Sequence, residues 1–254
     1  RNQTYLPMFF MVTIGILGAV DDWFNIRGIG GVKGVRARQK MAWLLIIAAF
    51  GAWWFYQKLG MNSIHIPAYG DIFLGWWYIP LFMFIVIATA NAVNIADGLD
   101  GLSGGLLTIA FTGYGVMAFL NGQVSLAIFC TTAAGALMAY LWFNIYPARF
   151  FGGDTYALAM GATLGVVAML IQSNVGVAVL PLLAFIPLVE TLSVISQLAY
   201  RKLRHKKLFL IAPLHHHFEA LGWPETKVTM RFWIIGSFVA IIGVIIGLVG
   251  SGPV

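Results

Sequence analysis

Charged residues are scarce in this sequence. Of its 254 residues, only 9% are charged while 60% are hydrophobic, and the mean hydropathy is +0.87. A soluble globular domain usually carries about 25% charged residues, so this composition excludes an ordinary soluble fold. It predicts an all-α polytopic membrane protein.

Cysteine is almost absent as well. The single Cys130 lies within an apolar run, which excludes a disulfide framework and a cysteine metal site. The net charge of +6 does not indicate nucleic acid, because the basic residues lie in short connectors between apolar runs rather than on a soluble face. Membrane lipid or a phosphorylated substrate is the expected partner.

Long apolar segments are what the sequence has in abundance. A helix needs about 20 residues to cross the hydrocarbon core of a bilayer, which predicts eight transmembrane helices. They lie at 5–20, 41–57, 77–95, 102–120, 124–142, 157–171, 176–199 and 231–250. The seventh contains Pro181 and Pro187, so we expect a kinked helix there. In the connector 62–77, alternating polar and apolar residues around Gly70 predict a short β-hairpin.

The basic residues predict the orientation of the chain. If the connector 21–40 is cytoplasmic, alternation of the spans places 96–101, 143–156 and 200–230 on the same side. Most lysines and arginines then lie on that side, as the positive-inside rule requires. The hairpin is then periplasmic.

One polar segment, "NAVNIADGLDGLSGG" (91–105), separates two of the apolar segments. Its residues Asn91, Asn94, Asp97 and Asp100 are each three positions apart, so on one continuous helix they would spiral across half of its surface. Glycines at 98 and 101 permit a turn between two helices that would gather these side chains in one cavity. The alternative is that Asp100 and Ser103 only cap a helix.

Two further motifs carry carboxylates next to apolar segments. Asp21 and Asp22 lie at the end of the first span, where the helix dipole is already negative, so a metal or other cation is expected beside them unless the pair is simply solvated. Asn144, Phe151 and Asp154 lie in a later connector. Asp154 directly precedes a predicted helix and could serve only as its N-cap.

The last connector combines basic residues with three histidines. Residues 201–207 could anchor the chain to anionic lipid. The side chains of His215, His216 and His217 diverge because the residues are consecutive, so they cannot all bind one metal. Hydrogen bonds to an anion suit them better.

Together, these groups predict phosphoryl transfer at the membrane surface. All of them lie in connectors on one side, where they could line one cleft with Lys33 and Lys40. Carboxylates of this number suit magnesium, which usually binds one or two of them together with substrate phosphates. Nearby lysines would neutralise those phosphates.

Five motifs resemble a known family. From about Gly15 to the C-terminus, "GAVDDW", "NAVNIADGLDGL", "FFGGDT", "PLVETLSVISQ" and "APLHHHFEALGWPE" are similar to phospho-N-acetylmuramoyl-pentapeptide-transferases, within the polyprenyl-phosphate sugar-1-phosphate transferase superfamily. The triple histidine is the most specific motif. The resemblance implies a magnesium-dependent enzyme of the bacterial inner membrane, with its active site facing the cytoplasm. Its substrates would be UDP-MurNAc-pentapeptide and undecaprenyl phosphate, its products lipid I and UMP, and its assembly a homodimer.

The resemblance also implies roles for particular residues. Asp154 would bind magnesium with Asp97 near it, while Asp21 and Asp22 would bind or deprotonate the lipid phosphate. His216 completes the expected catalytic residues. The expected substrate-binding residues are Lys33, Lys40, Asn91, Asn94, Asp97, Asp100, Asn144, Phe151, Gln197, His215 and His217, with Phe151 as a stacking face for uracil.

Two departures from the family pattern stand out. Tyr156 and Ala157 replace the usual Gly-Ser after "GDT", which adds bulk beside Asp154. The family has ten helices, so we expect residues 1–254 to form a single transferase domain without the two N-terminal helices. Three alternatives stay open: a transferase that uses UDP-N-acetylglucosamine, an inactive truncated homologue, and a secondary transporter, whose intramembrane charges can look alike.

Overall fold

The computed structural model describes residues 2–28, 34–171 and 175–250. These residues form ten α-helices and one small sheet. The long helices are α1 (Asn2–Arg27), α2 (Ala37–Lys58), α3 (Tyr78–Ala96), α4 (Leu102–Leu120), α5 (Val124–Asn144), α6 (Gly153–Leu170), α8 (Phe185–Arg204) and α10 (Glu225–Gly250). The short helices are α7 (Gly176–Leu183) and α9 (Leu214–Ala220).

Six described helices are long and apolar enough to cross a membrane: α1, α3, α4, α5, α6 and α10. The count becomes seven if α7 and α8, which meet at 75°, form one broken span. The break lies at Ala184, between Pro181 of α7 and Pro187 in the first turn of α8. The second predicted span falls within α2, which is 22 residues long but has basic residues in its first turns and an aromatic, polar last turn. Because of this composition α2 is not among the apolar spans, so the observed count is at most seven whereas eight were predicted.

The predicted strands are present as a two-stranded antiparallel sheet. Strand β1 (Ser63–Ile66) pairs with β2 (Gly70–Phe73), and Ser63 lies opposite Phe73. Both nitrogens of the His65 ring are engaged: Nδ1 lies 2.7 Å from Asp71 Oδ1 and Nε2 lies 2.7 Å from the carbonyl oxygen of Gly250. The sheet is thereby attached to the end of α10.

Helix α6 lies at the centre of the bundle, with 78% of its span buried. Small residues permit close packing on two sides, as is common in membrane helices. A Cβ on Gly18 of α1 would lie 2.5 Å from the carbonyl oxygen of Asp154, and one on Gly161 of α6 would lie 2.5 Å from that of Thr89 in α3. The first turn of α6 is therefore fixed against α1, and its middle is fixed against α3.

The polar segment 91–105 forms a turn between two helices. Helix α3 ends at Ala96 and α4 begins at Leu102, with Gly101 in the left-handed conformation at φ +73°. Non-glycine residues rarely adopt this conformation. The segment is thus the break that its glycines predict, and it lies beside the first turn of α6.

Candidate active site

Three carboxylates meet where the last turns of α1 face the first turn of α6. One oxygen each from Asp21, Asp22 and Asp154 lies within 4.8 Å of the other two. Asp21 is only 7% exposed, and the other two residues are half-buried. The structure therefore brings together three residues that the sequence analysis placed in one cleft.

Lys40, in the first turn of α2, joins two of these carboxylates. Its Nζ donates to Asp21 Oδ2 at 2.7 Å and also to Asp154 Oδ2. Asp21 Oδ1 accepts a further hydrogen bond from the backbone N–H of Val35. A single ammonium group thus supplies positive charge between two carboxylates from different helices.

Asp22 has a different set of partners. Its Oδ2 accepts hydrogen bonds from the N–H of Thr155 at 2.9 Å and from Thr155 Oγ1 at 2.6 Å, and its Oδ1 accepts one from the N–H of Asp154 at 3.2 Å. A carboxylate at a helix N-terminus is stabilised by free N–H groups and by the helix dipole. Asp22 of α1 therefore caps α6.

Because Asp22 supplies that cap, Asp154 does not act as one. The N-cap residue of α6 is Gly152, which makes no side-chain cap hydrogen bond, and Asp154 lies within the first turn. Its Oδ1 accepts a hydrogen bond from Asn94 Nδ2 at 2.7 Å. The second carboxylate oxygen contacts Lys40, so both oxygens point toward the cleft.

Asp97 lies beside this group but outside it. Ser103 Oγ donates a hydrogen bond to Asp97 Oδ1 and lies 3.3 Å from the Tyr156 hydroxyl. Burial raises the pKa of the Asp97 carboxyl, and the negative charge of Asp154 adds to this effect, whereas the hydrogen bond from Ser103 opposes it. The expected magnesium role of Asp97 remains a prediction.

Asp100 and Asn144 connect the turn to the following connector. Asp100 Oδ2 accepts a hydrogen bond from the N–H of Ala148 at 2.8 Å. Asn144 Oδ1 accepts one from the N–H of Gly101 at 3.1 Å, and its Nδ2 donates to the carbonyl oxygen of Phe150 at 2.9 Å. These contacts position the connector that leads to Phe151, whose aromatic side chain is exposed.

The three histidines have three different environments. His215 is fully buried, while His216 is partly exposed and its Nδ1 lies 2.6 Å from Glu219 Oε2. His217 Nδ1 accepts a hydrogen bond from the N–H of Leu210 at 3.2 Å. His216 and His217 are therefore the histidines whose side chains are exposed enough to contact a ligand.

Three further residues were expected to bind substrate: Gln197, Asn91 and Lys33. Gln197 braces the connector after α8: its Oε1 accepts hydrogen bonds from the N–H groups of Leu208 and Phe209, both at 2.9 Å. Asn91 Nδ2 donates to the carbonyl oxygen of Ile87, one turn earlier in α3, at 2.8 Å. Lys33 lies outside the described residues.

Comparisons with known proteins cover the residues of this site. Residues 5–172 match the glycosyl transferase family 4, a range that contains the three carboxylates, Lys40 and the turn. The phospho-N-acetylmuramoyl-pentapeptide-transferase of Chloroflexus aurantiacus is 41% identical over 268 residues, which cover 100% of this chain and 72% of that protein. Proteins of the same name from Clostridium perfringens and a Geobacillus species are 43% and 39% identical over 92% and 96% of this chain, and 71% and 74% of their own lengths are covered.

The chain belongs to the phospho-N-acetylmuramoyl-pentapeptide-transferase family. This membership confirms the resemblance stated from the motifs.

In this transferase, the cluster of Asp21, Asp22 and Asp154 could hold a metal ion. Hard divalent cations prefer carboxylate oxygens, and Asp21 and Asp154 each already direct an oxygen at the Lys40 ammonium. These carboxylate oxygens therefore already face a positive charge, and they are the kind of ligand that a magnesium ion requires.

Two residues of the transferase site escaped the sequence analysis: Thr155 binds Asp22, and Glu225 Oε1 accepts a hydrogen bond from the N–H of Asp100 at 2.6 Å. Ser103 was considered only as a helix cap, yet its hydroxyl binds Asp97. Tyr156 was regarded only as added bulk, yet its hydroxyl faces Ser103 and its ring packs against Tyr140 at a centroid distance of 4.6 Å. Position directly after Asp154 is the one signal that could have indicated Thr155.

Proposed function

We propose that this protein transfers phospho-N-acetylmuramoyl-pentapeptide from its UDP-activated form to undecaprenyl phosphate. A phosphate oxygen of the lipid attacks the β-phosphorus of the nucleotide, and the bond between that phosphorus and the bridging oxygen breaks. UMP leaves with that oxygen, and lipid I is formed. The observation that carries the proposal is the group of Asp21, Asp22, Asp154 and Lys40 in a chain that aligns over its full length with a transferase of this name.

Magnesium is the cofactor we propose for this site. Asp154 and Asp21 would hold it by the oxygens that now face Lys40, with Asp97 nearby. The bound ion would neutralise charge on the diphosphate as the phosphorus–oxygen bond breaks. Lys40 would bind a phosphate oxygen, since an ammonium group is a suitable point charge for phosphate.

A general base is not required for this reaction. The second pKa of a phosphate monoester is about 6, so the acceptor already carries negative charge at neutral pH. Asp21 is held by Lys40 and by the N–H of Val35, and Asp22 caps α6. We therefore propose that Asp21 positions the acceptor phosphate through Lys40 and that Asp22 positions α6. Neither residue would remove a proton.

The nucleotide lies, in this proposal, along the turn and the connector after α5. Asn94, Asp100 and Phe151 would surround it, with uracil stacked on the exposed ring of Phe151, while the buried Asn144 would hold the connector in place. His216 would contact its phosphates or sugar. The Phe151 ring is exposed, so one of its faces is available to stack on an aromatic base.

We also propose how the protein lies in the inner membrane. The cluster of Asp21, Asp22 and Asp154 would face the cytoplasm, because the basic residues lie in the connectors at the same end of the helices. Helix α2 and the broken α7–α8 pair would complete eight spans, and the sheet would be periplasmic.

Labelling of a single cysteine tests this orientation. A cysteine introduced by Tyr69→Cys, with Cys130→Ala, should react in spheroplasts with a thiol reagent that cannot cross membranes. Protection of this cysteine until lysis contradicts the orientation. Chemical crosslinking in the membrane would test the homodimer.

Release of UMP by purified protein tests the reaction itself. With magnesium and undecaprenyl phosphate, UMP should form from UDP-MurNAc-pentapeptide and not from UDP-N-acetylglucosamine. The reverse preference would assign the protein to the related transferase activity, and no release from either nucleotide would indicate an inactive homologue.

A further inference from the structure

A buried acid and a buried histidine meet beneath the turn. Glu190 of α8 and His215 of α9 are both 0% exposed. Glu190 Oε1 accepts a hydrogen bond from the N–H of His215 at 3.1 Å, and Oε2 lies 3.2 Å from His215 Nδ1. Neither ring nitrogen has a hydrogen-bond partner among the described residues. Glu190 therefore holds His215 by its backbone N–H and by the close approach of Oε2 to Nδ1, and packing holds the rest of the ring.

The other side of the ring presses on Gly98, next to Asp97. A Cβ on Gly98 would lie 2.3 Å from His215 Nε2, a separation at which two non-bonded heavy atoms overlap. Glycine is therefore required at this position by contact with the ring. Gly98 is itself exposed while the ring is fully buried, so the ring supports the turn from its buried side.

The rest of the turn is fixed by other groups. Glu225 accepts the hydrogen bond of the Asp100 N–H, and Trp233 Nε1 donates to the carbonyl oxygen of Gly101 at 3.2 Å. Leu99 packs into a small apolar core with residues of α4, α8 and α10. Ser103 binds the Asp97 carboxylate itself, and His215 supports the backbone next to it at Gly98, at the end of the turn that adjoins Asp154.

The burial of this polar pair favours a geometric role. A buried carboxylate is costly to desolvate, and a well-packed apolar pair is often as stable. Glu190 also accepts the hydrogen bond of the His215 N–H in the first turn of α9. This hydrogen bond fixes where the His215 ring lies relative to the turn.

We propose that Glu190 is a positioning residue that holds the His215 ring against Gly98 and thereby sets the direction of the Asp97 carboxylate. His215 acts through the turn and does not touch substrate, which leaves His216 and His217 as the histidines that can contact a ligand. This inference rests on the proposed transfer reaction and adds Glu190 to it.

A double-mutant cycle on UMP release tests the proposal. Glu190→Met keeps the volume but accepts no hydrogen bond, and Gly98→Ala displaces the ring directly. Each should lower kcat by about 10- to 100-fold through misplacement of the turn, with little change in KM for either substrate. The double variant should be no slower than the slower single variant, because both changes act through one ring. Glu190→Gln, whose amide oxygen can still accept from His215, should recover much of the activity.

Two control variants keep the cycle specific. Asp71→Ala removes the carboxylate of the exposed His65 pair, and Gly135→Ala adds a methyl group where nothing lies within 4 Å; neither should change kcat. Multiplicative losses in the double variant would overturn the proposal, as would a loss confined to the nucleotide KM. If Glu190→Met does not fold, His215→Asn takes its place in the cycle with the same expectation.

Failure of the proposed reaction would be recognised separately. If the wild-type protein releases no UMP, the transfer reaction is wrong, and hydrogen–deuterium exchange then decides the positioning role. The amides of residues 97–101 should exchange faster in Glu190→Met and Gly98→Ala than in the two controls. Unchanged exchange would overturn the inference.

Discussion

The ammonium group of Lys40 lies 2.7 Å from the Asp21 carboxylate, and this contact joins the start of α2 to the end of α1. The same ammonium group contacts Asp154 at the start of α6. Two consecutive helices and the distant α6 therefore meet at one positive charge, in the position where the proposed magnesium ion would bind.

Replacing Lys40 should destabilise the metal-free protein. Lys40→Met leaves three carboxylates within 4.8 Å without their bridging cation, and loss of one partner of a charged contact costs about 1–3 kcal/mol. The thermal midpoint in EDTA should fall, and magnesium should raise it more than it raises that of the wild type. Arg38→Met, which removes an equal charge from an exposed neighbour, should behave like the wild type. Equal midpoints for Lys40→Met and Arg38→Met would show that the bridge is unimportant.

Removing Asp154 should abolish turnover without unfolding the protein. Asp154→Ala deletes the carboxylate that faces both Lys40 and Asn94, so UMP release should fall at least about 100-fold. Manganese binding, measured by electron paramagnetic resonance, should weaken in parallel, while the variant elutes as a single species in detergent. Unchanged turnover in this variant would remove the metal assignment.

Close packing of α1 on α6 gives a third prediction. A methyl group at Gly18 would lie 2.5 Å from the Asp154 carbonyl oxygen, whereas one at Gly15, one turn earlier, would lie 3.7 Å from Ala159 Cβ. Overpacking of this kind costs about 1–3 kcal/mol. Gly18→Ala should therefore lower the thermal midpoint and the rate of UMP release, and Gly15→Ala should change neither. Similar behaviour of the two variants would mean that the helices can separate at no cost.

The sequence was sufficient to predict the elements whose signals are local. Apolar length predicted the long helices, alternation around Gly70 predicted the two strands, and the glycines of the polar segment predicted the turn between α3 and α4. The convergence of Asp21, Asp22 and Asp154 also followed from their connectors.

Partner choice could not be predicted, because it depends on how helices pack. No local pattern indicates that Asp22 caps a helix 132 positions further along the chain, or that His215 is buried against Gly98 while His216 is not. The span count differed for a related reason: α2 has the length of a span, and its polar ends reduce the apolar signal.

Asp97 and Asp100 should differ in kinetic effect although they share one turn. Asp97 lies next to Asp154 and is held by Ser103, so Asp97→Asn should act on the reacting diphosphate and lower kcat more than it raises KM. Asp100 holds the connector that leads to Phe151 through the N–H of Ala148, so Asp100→Asn should loosen nucleotide binding and raise its KM more than it lowers kcat.

Steady-state UMP release at varied nucleotide concentration measures both constants for both variants. Thr112→Val serves as a control, since Thr112 is exposed and its hydroxyl donates to the carbonyl oxygen of Thr108 in the same helix. Neither constant should change. A larger fall in kcat than rise in KM for Asp100→Asn would contradict the division of labour. Asp100 would then act on the reacting phosphates, and its hydrogen bond to Ala148 would have to break when the nucleotide binds.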